Sequence, residues 1–139
     1  MSDTLLRIQR AFENRVKLLA NEPLVQWEGM AFEPRTGKPW ISTRMTGRDV
    51  SPMGSFQVTP HLWRGSYTIL VKHPADEGLR PAYSRALAIR DFFPRGSPDI
   101  ADGPVKITIT NVGLPPDFVT AGWRTQPVAI SWFYEEPPQ

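Results

Sequence analysis

Residues 105–112, VKITITNV, alternate apolar and polar residues without a break. A period of two puts Val105, Ile107 and Ile109 on one face of an extended chain and Lys106, Thr108 and Thr110 on the other. A helix cannot accommodate this pattern, so the chain must contain a sheet with one buried face. Two more segments carry the same period. In 61–73, HLWRGSYTILVKH, Trp63, Tyr67, Ile69 and Val71 share a face, and Pro74 ends the run. In 124–134, Val128, Ile130, Trp132 and Tyr134 do the same. Pro127 cannot donate to a ladder, so it belongs at an edge or a bulge.

Shorter segments extend the sheet. Val25 and Trp27 alternate with Gln26 and Glu28, Gly29 suggests a bend, and residues 34–39 form a turn. Residues 40–45 alternate again, with Ile41, Thr43 and Met45 on one side. Residues 46–60 keep no period and contain two glycines and two prolines. They are expected to form a long mobile hairpin loop, and loops of that length usually carry function. Residues 94–104 read as a loop, and 135–139 as a solvated tail.

Two segments change to helical spacing. Leu5, Ile8, Phe12, Val16 and Leu19 form one stripe, which predicts a helix over 4–20 capped by Ser2 or Asp3 and ended by Pro23. Leu79, Ala82, Tyr83, Ala86, Ile89 and Phe93 predict a second over 79–93, with the N-cap near Gly78 and Pro81 in the first turn. The expected fold is α+β: a two-layer sandwich in which a mixed or antiparallel sheet of about 4–6 strands packs against two helices. The 139 residues suit a single domain. The 15 prolines are roughly twice average usage, but they lie scattered between apolar segments and read as turns.

Several chemistries find no support in the residues. The chain has no cysteine, which excludes disulfides and thiolate metal sites and fits assembly in a reducing cytoplasm. His61 and His73 fall near opposite ends of one predicted strand, too far apart to share a metal. Glu28, Glu33, Asp76, Glu77, Asp99 and Asp102 each lie beside turn residues, where carboxylates act as caps. Nucleophile-elbow, Walker and dinucleotide fingerprints are absent from the sequence. The expectation is a protein that is not an enzyme, with no cofactor and no metal. A net charge of +2 without a clustered basic arm argues against specific nucleic-acid binding. Trp63-Arg64 and Trp123-Arg124 could stack on bases, but alternation favours Trp inward and Arg outward. No apolar run approaches the ~20 residues that span a bilayer, so no membrane is expected as a partner, and the chain is expected to be soluble and made in the cytoplasm.

The aromatic content exceeds what a thin core needs. Trp27, Trp40, Trp63, Trp123, Trp132, Phe32, Phe56, Phe118 and Phe133 are many large rings for one small domain. Residues 128–134 are apolar on both faces. Either long loops close the second face, or a neighbouring subunit covers it, since interfaces favour aromatic and Arg anchors.

In this order of elements the chain resembles the tail terminator proteins of long-tailed phages and prophages. VQWEGMAFEP and GKPWISTRM are similar to that family's Trp-containing first strand, turn and second strand. WRGSYTILVKHPADEGLRPAYSRALAIRDFF is similar to its central strand, Pro-Ala turn and small-residue helix. VGLPPDFVTAGWRTQPVAISWFY is similar to its closing turn and Trp-led last strand. The likeness spans roughly residues 4–134; Lys72-His73 and the 46–60 segment depart from it.

The resemblance implies a structural protein of the virion tail, put together in the host cytoplasm. It implies a hexameric ring of self-contacts that docks on the tail tube protein, stops tube polymerisation and offers its other side to head-completion or connector proteins. The loop at 46–60 is expected to face the lumen or tube and to order on assembly, and Arg44, Arg48, Asp49, Phe56 and Trp132 are the expected contact residues. Another tail or neck component is the alternative, and a small carboxylate-dependent enzyme a more distant one.

Overall fold

The computed structural model describes residues 4–19, 24–30, 38–52, 61–96 and 100–137. The chain is α+β, and the described residues form a mixed seven-stranded sheet and two α-helices. The elements, in chain order, are α1 (Thr4–Val16), β1 (Leu24–Gln26), β2 (Trp40–Pro52), β3 (His61–Pro74), a 3-10 turn (Ala75–Glu77), α2 (Arg80–Phe92), β4 (Ile100–Asp102), β5 (Val105–Gly113), β6 (Phe118–Thr120) and β7 (Trp123–Glu136). Across the sheet the order is β1-β2-β3-β7-β5-β4, with β6 also on β7. β1 runs parallel to β2, and the other pairs are antiparallel.

The long strands form where the two-residue period is strongest. Tyr67, Ile69 and Val71 of β3 stand opposite Ile130, Val128 and Gln126 of β7 and opposite Met45, Thr43 and Ile41 of β2. Directly opposed residues share a face, so one face gathers the branched and aromatic side chains of all three strands. Ile8, Phe12 and Val16 of α1 and Ala86 and Ile89 of α2 join them and Ile107 and Ile109 in one core, whereas Leu79 and Tyr83 of the expected second-helix stripe are exposed. Phe12 stacks on Tyr67 at 4.4 Å between ring centroids, with Phe93 and Trp132 beside it. Ala82 and Ala86 are fully buried, which lets α2 approach β3 and β7 closely.

The structure adjusts several expectations. β2 does not stop at Met45; it continues to Pro52 in pairing with β3, so residues 46–52 are strand and not loop. The register shifts between Thr46 and Arg48, and this bulge breaks the two-residue alternation along β2. Residues 53–60, the rest of that expected loop, lie outside the described residues. β7 likewise runs through Glu135 and Glu136, which pair with Leu62 and His61, so these two residues of the expected tail are strand. Glu136 also accepts hydrogen bonds from the Thr4 hydroxyl and from Trp63 Nε1.

β4 and β6 raise the strand count above the expected four to six. Each has three residues, too few to show a period. α1 ends at Val16 and continues as single turns to Leu19, well before Pro23. α2 starts at Arg80 with Leu79 as N-cap and Pro81 in its first turn. Pro127 lies within β7 opposite Leu70, in the gap between the stretches of β7 that β6 and β5 pair with. It is therefore at a local edge, and Gln126 Nε2 bridges the carbonyls of Pro115 and Pro127 there.

Candidate functional site

The residues singled out for chemistry are dispersed. His61 and His73 occupy the two ends of β3, opposite Glu136 and Arg124. His73 is 6% exposed, its Nδ1 3.6 Å from Glu77. Asp76 and Glu77 sit exposed on the 3-10 turn, and Asp102 on β4 pairs with Arg10 at 3.5 Å. Glu28 receives the Met45 amide at 2.7 Å. Glu33 and Asp99 lie outside the described residues. An open groove of about 430 Å³ is lined by Pro104, Lys106, Thr108, Phe133, Tyr134, Glu135 and Pro137. Among the described residues, Glu135 is the one carboxylate that lines it. Among the described helices, none is long and apolar enough to cross a membrane.

The sheet face turned away from the core is the larger feature. Register places Ser42, Arg44 and Thr46 of β2 beside Leu70, Thr68 and Ser66 of β3, and these beside Pro127, Ala129 and Ser131 of β7. Small hydroxyl and aliphatic residues thus form its centre, and the Thr46 and Thr68 hydroxyls bond at 2.8 Å. Arg44, Arg64 and Lys106 stand exposed around it. At one end Trp40 meets Trp123 edge to face at 5.9 Å, and Lys72 Nζ lies 5.1 Å from the Trp40 ring centroid while donating to Thr125. Partial burial among these rings lowers the Lys72 pKa from its usual value. Nearby on β6, Phe118 is 45% exposed and Val119 is exposed as well.

The expected contact residues divide sharply. Arg44 is exposed on this outer face. Arg48 and Asp49 have strand backbone opposite Gly65 and Arg64, and Phe56 lies outside the described residues. Trp132 is a correction: it is 2% exposed, on the core face between Phe12 and the rest of the cluster, so it packs the subunit interior and offers no contact surface. Its position in an apolar run on two faces made it look available, but it shares the alternating stripe of Val128, Ile130 and Tyr134, and that stripe faces the core. Trp40, at 7% exposed, is also shielded within the chain. The Trp-Arg pairs differ from each other. Trp63 packs against the core with Arg64 exposed, as alternation suggests. Trp123 instead leans on Trp40, and Arg124 holds Asp117 at 2.6 Å. The Trp40–Trp123 contact joins residues 83 positions apart and leaves no local signal.

Comparison with known proteins adds the family. One solved structure, which carries no functional description, matches over 100% of this chain and 99% of its own at 19% identity and a TM-score of 0.75. A chain of the virion of a native gene transfer agent particle matches over 97% of this chain and 99% of its own, at 14% identity and a TM-score of 0.63. At such identities these likenesses speak for the fold. No curated protein matches. The phage tail terminator protein family model matches residues 7–132, from the first turn of α1 to the middle of β7. With nearly the whole folded domain inside that match, the chain belongs to the phage tail terminator protein family, structural proteins of the virion tail.

Proposed function

We propose that this protein forms a hexameric ring on the end of the tail tube, stops tube polymerisation and presents its far side to the head-completion or connector protein. The observation that carries this reading is the family match across residues 7–132. The structural likeness to a chain of a gene transfer agent virion particle agrees with a place in a tailed assembly.

A ring needs two different patches on each subunit that close by rotation. The outer sheet face, with exposed Arg44 and its aromatic end, supplies one such patch. The β2–β3 hairpin carries the tube contact, with Arg44, Arg48, Asp49 and Phe56 as its contact residues. A tail tube or connector subunit is the second reading of the same fold.

Negative-stain images of the purified protein mixed with its tube protein separate the two. Discrete rings and capped tubes are expected, and long tubes built from this chain alone favour the second reading. Arg44→Glu should leave the circular dichroism spectrum unchanged and reduce capped tube ends several-fold.

A further inference from the structure

We infer that Glu28 is an edge stop: its carboxylate occupies the backbone donor of Met45 and keeps the outer edge of β2 from pairing with the same edge of a second copy. Among the described residues, β1 covers that edge only at Trp40, Ile41 and Ser42. β2 then continues from Thr43 to Pro52. Open strand edges recruit other strands because each presents a row of donors and acceptors. Two copies of one edge are self-complementary, since antiparallel pairing about a twofold satisfies both at once.

The chain places an obstacle where β1 ends. After Gln26 it turns through Trp27–Met30, with Met30 N–H donating to the Trp27 carbonyl at 2.9 Å and Gly29 at φ 78°. Trp27 packs against the core and Gln26 Nε2 donates to the Met30 carbonyl, so the turn is held at both ends. From it Glu28 reaches back across the edge. One oxygen accepts the Met45 amide at 2.7 Å, and the other accepts Gln9 Nε2 of α1 at 3.3 Å.

A charged acceptor makes a stronger bond to a backbone N–H than a neutral carbonyl does. It also repels the carbonyl oxygen that an incoming strand would bring to the same amide. The neighbouring bulge between Thr46 and Arg48 disturbs the ladder just beyond. Together they blunt the edge at the point where β1 leaves it. This role does not depend on the ring reading, because it concerns strand-to-strand association of the free subunit.

The test compares the natural protein with Glu28→Ala and Glu28→Gln by light scattering over a concentration series and by hydrogen exchange at the Met45 amide. The natural protein and Glu28→Gln, whose side-chain oxygen still accepts, should keep one mass and a slow Met45 amide. Glu28→Ala should exchange at Met45 at least tenfold faster, with a mass that climbs with concentration to twice the natural value or more. Glu28→Asp, with an arm one methylene shorter, serves the same purpose if the alanine variant does not fold. An unchanged mass after Met45 is freed overturns the inference, and so does a Met45 amide that already exchanges like an unpaired surface amide in the natural protein. A discrete ring formed by the natural protein would appear as a mass independent of concentration, distinct from the concentration-dependent pairing of Glu28→Ala.

Discussion

At the scale of single residues, a few polar side chains join elements that hydrophobic burial alone would leave free to slide. Arg15 of α1 donates from Nε and Nη2 to the Phe92 carbonyl at 3.1 and 2.9 Å, and its guanidinium lies 4.2 Å from the centroid of the Phe92 ring. That carbonyl closes α2, where helix carbonyls lack intrahelical donors. Arg15→Ala should cost about 1–3 kcal/mol in urea unfolding. Arg15→Lys should recover only part of it, because an ammonium cannot supply the two-pronged contact.

His73 makes a pH-dependent contribution. Burial pushes its pKa below the usual imidazole range, Arg85 pushes the same way, and Glu77 opposes them. Arg124 stands across from it on β7, itself paired with Asp117. Because the folded value is depressed, the unfolded chain takes up the proton first as pH falls. Stability is complete above the unfolded pKa of about 6.5 and is lost as pH falls from there toward the folded value. Nδ1 lies 3.6 Å from the Glu77 carboxylate, beyond normal hydrogen-bond distance, so His73→Leu should fold. A melting-temperature series from about pH 7.5 to about 5.5 should show a smaller decline for His73→Leu than for the natural protein.

At the scale of elements, the β6–β7 hairpin shows local chemistry in tension with fold. Thr120 and Trp123 pair across two residues, Ala121 at φ 52° and Gly122 at φ 83°. Two successive positive φ values are the mirror-image turn that matches strand twist. Gly122 adopts it freely, but Ala121 has a Cβ that disfavours it. Ala121→Gly or Ala121→Asn should raise stability by about 1 kcal/mol, read as a shift in denaturation midpoint. The same hairpin receives the Ala75 amide on the Gly122 carbonyl at 2.8 Å, so its tightening should carry through to the turn before α2.

The element scale also shows what the sequence makes visible. The stripe Ile8, Phe12, Val16 and Leu19 is readable because a buried helix face repeats every three to four residues, and all four are buried. Val105, Ile107 and Ile109 are readable for the corresponding reason in a strand. The period fails where geometry breaks it. The bulge at Thr46/Arg48 hid the second half of β2, and β4 and β6 are too short to repeat anything. Trp132 lies on the alternating stripe Val128, Ile130, Trp132 and Tyr134, so its inward direction is legible, and the apolar character of both faces of 128–134 suggested a contact role that its burial removes. Of the expected contact residues, the outward position of Arg44 follows from simple alternation with Thr43 and Met45. Arg48 and Asp49 come after the bulge, where that alternation no longer holds.

At the scale of the whole molecule, the ionisable groups are spread among different elements, while the outer sheet face gathers hydroxyls, cations and an aromatic end into one broad surface. That distribution suits a protein that works through contact, as expected of a structural member of the phage tail terminator protein family. The surplus rings of the sequence are partly consumed inside the subunit, by Trp132 in the core and Trp40 under Trp123. Phe118 and Val119 remain exposed.

On the proposed function, the chain caps a growing tube. The most direct measurement is the length distribution of tubes polymerised from the tail tube protein with increasing amounts of this chain. Tube length should fall steeply while this chain is still far below equimolar, with a ring visible on one end of each shortened tube. Tubes whose lengths stay unchanged at every ratio, or that take this chain up along their whole length, would contradict it.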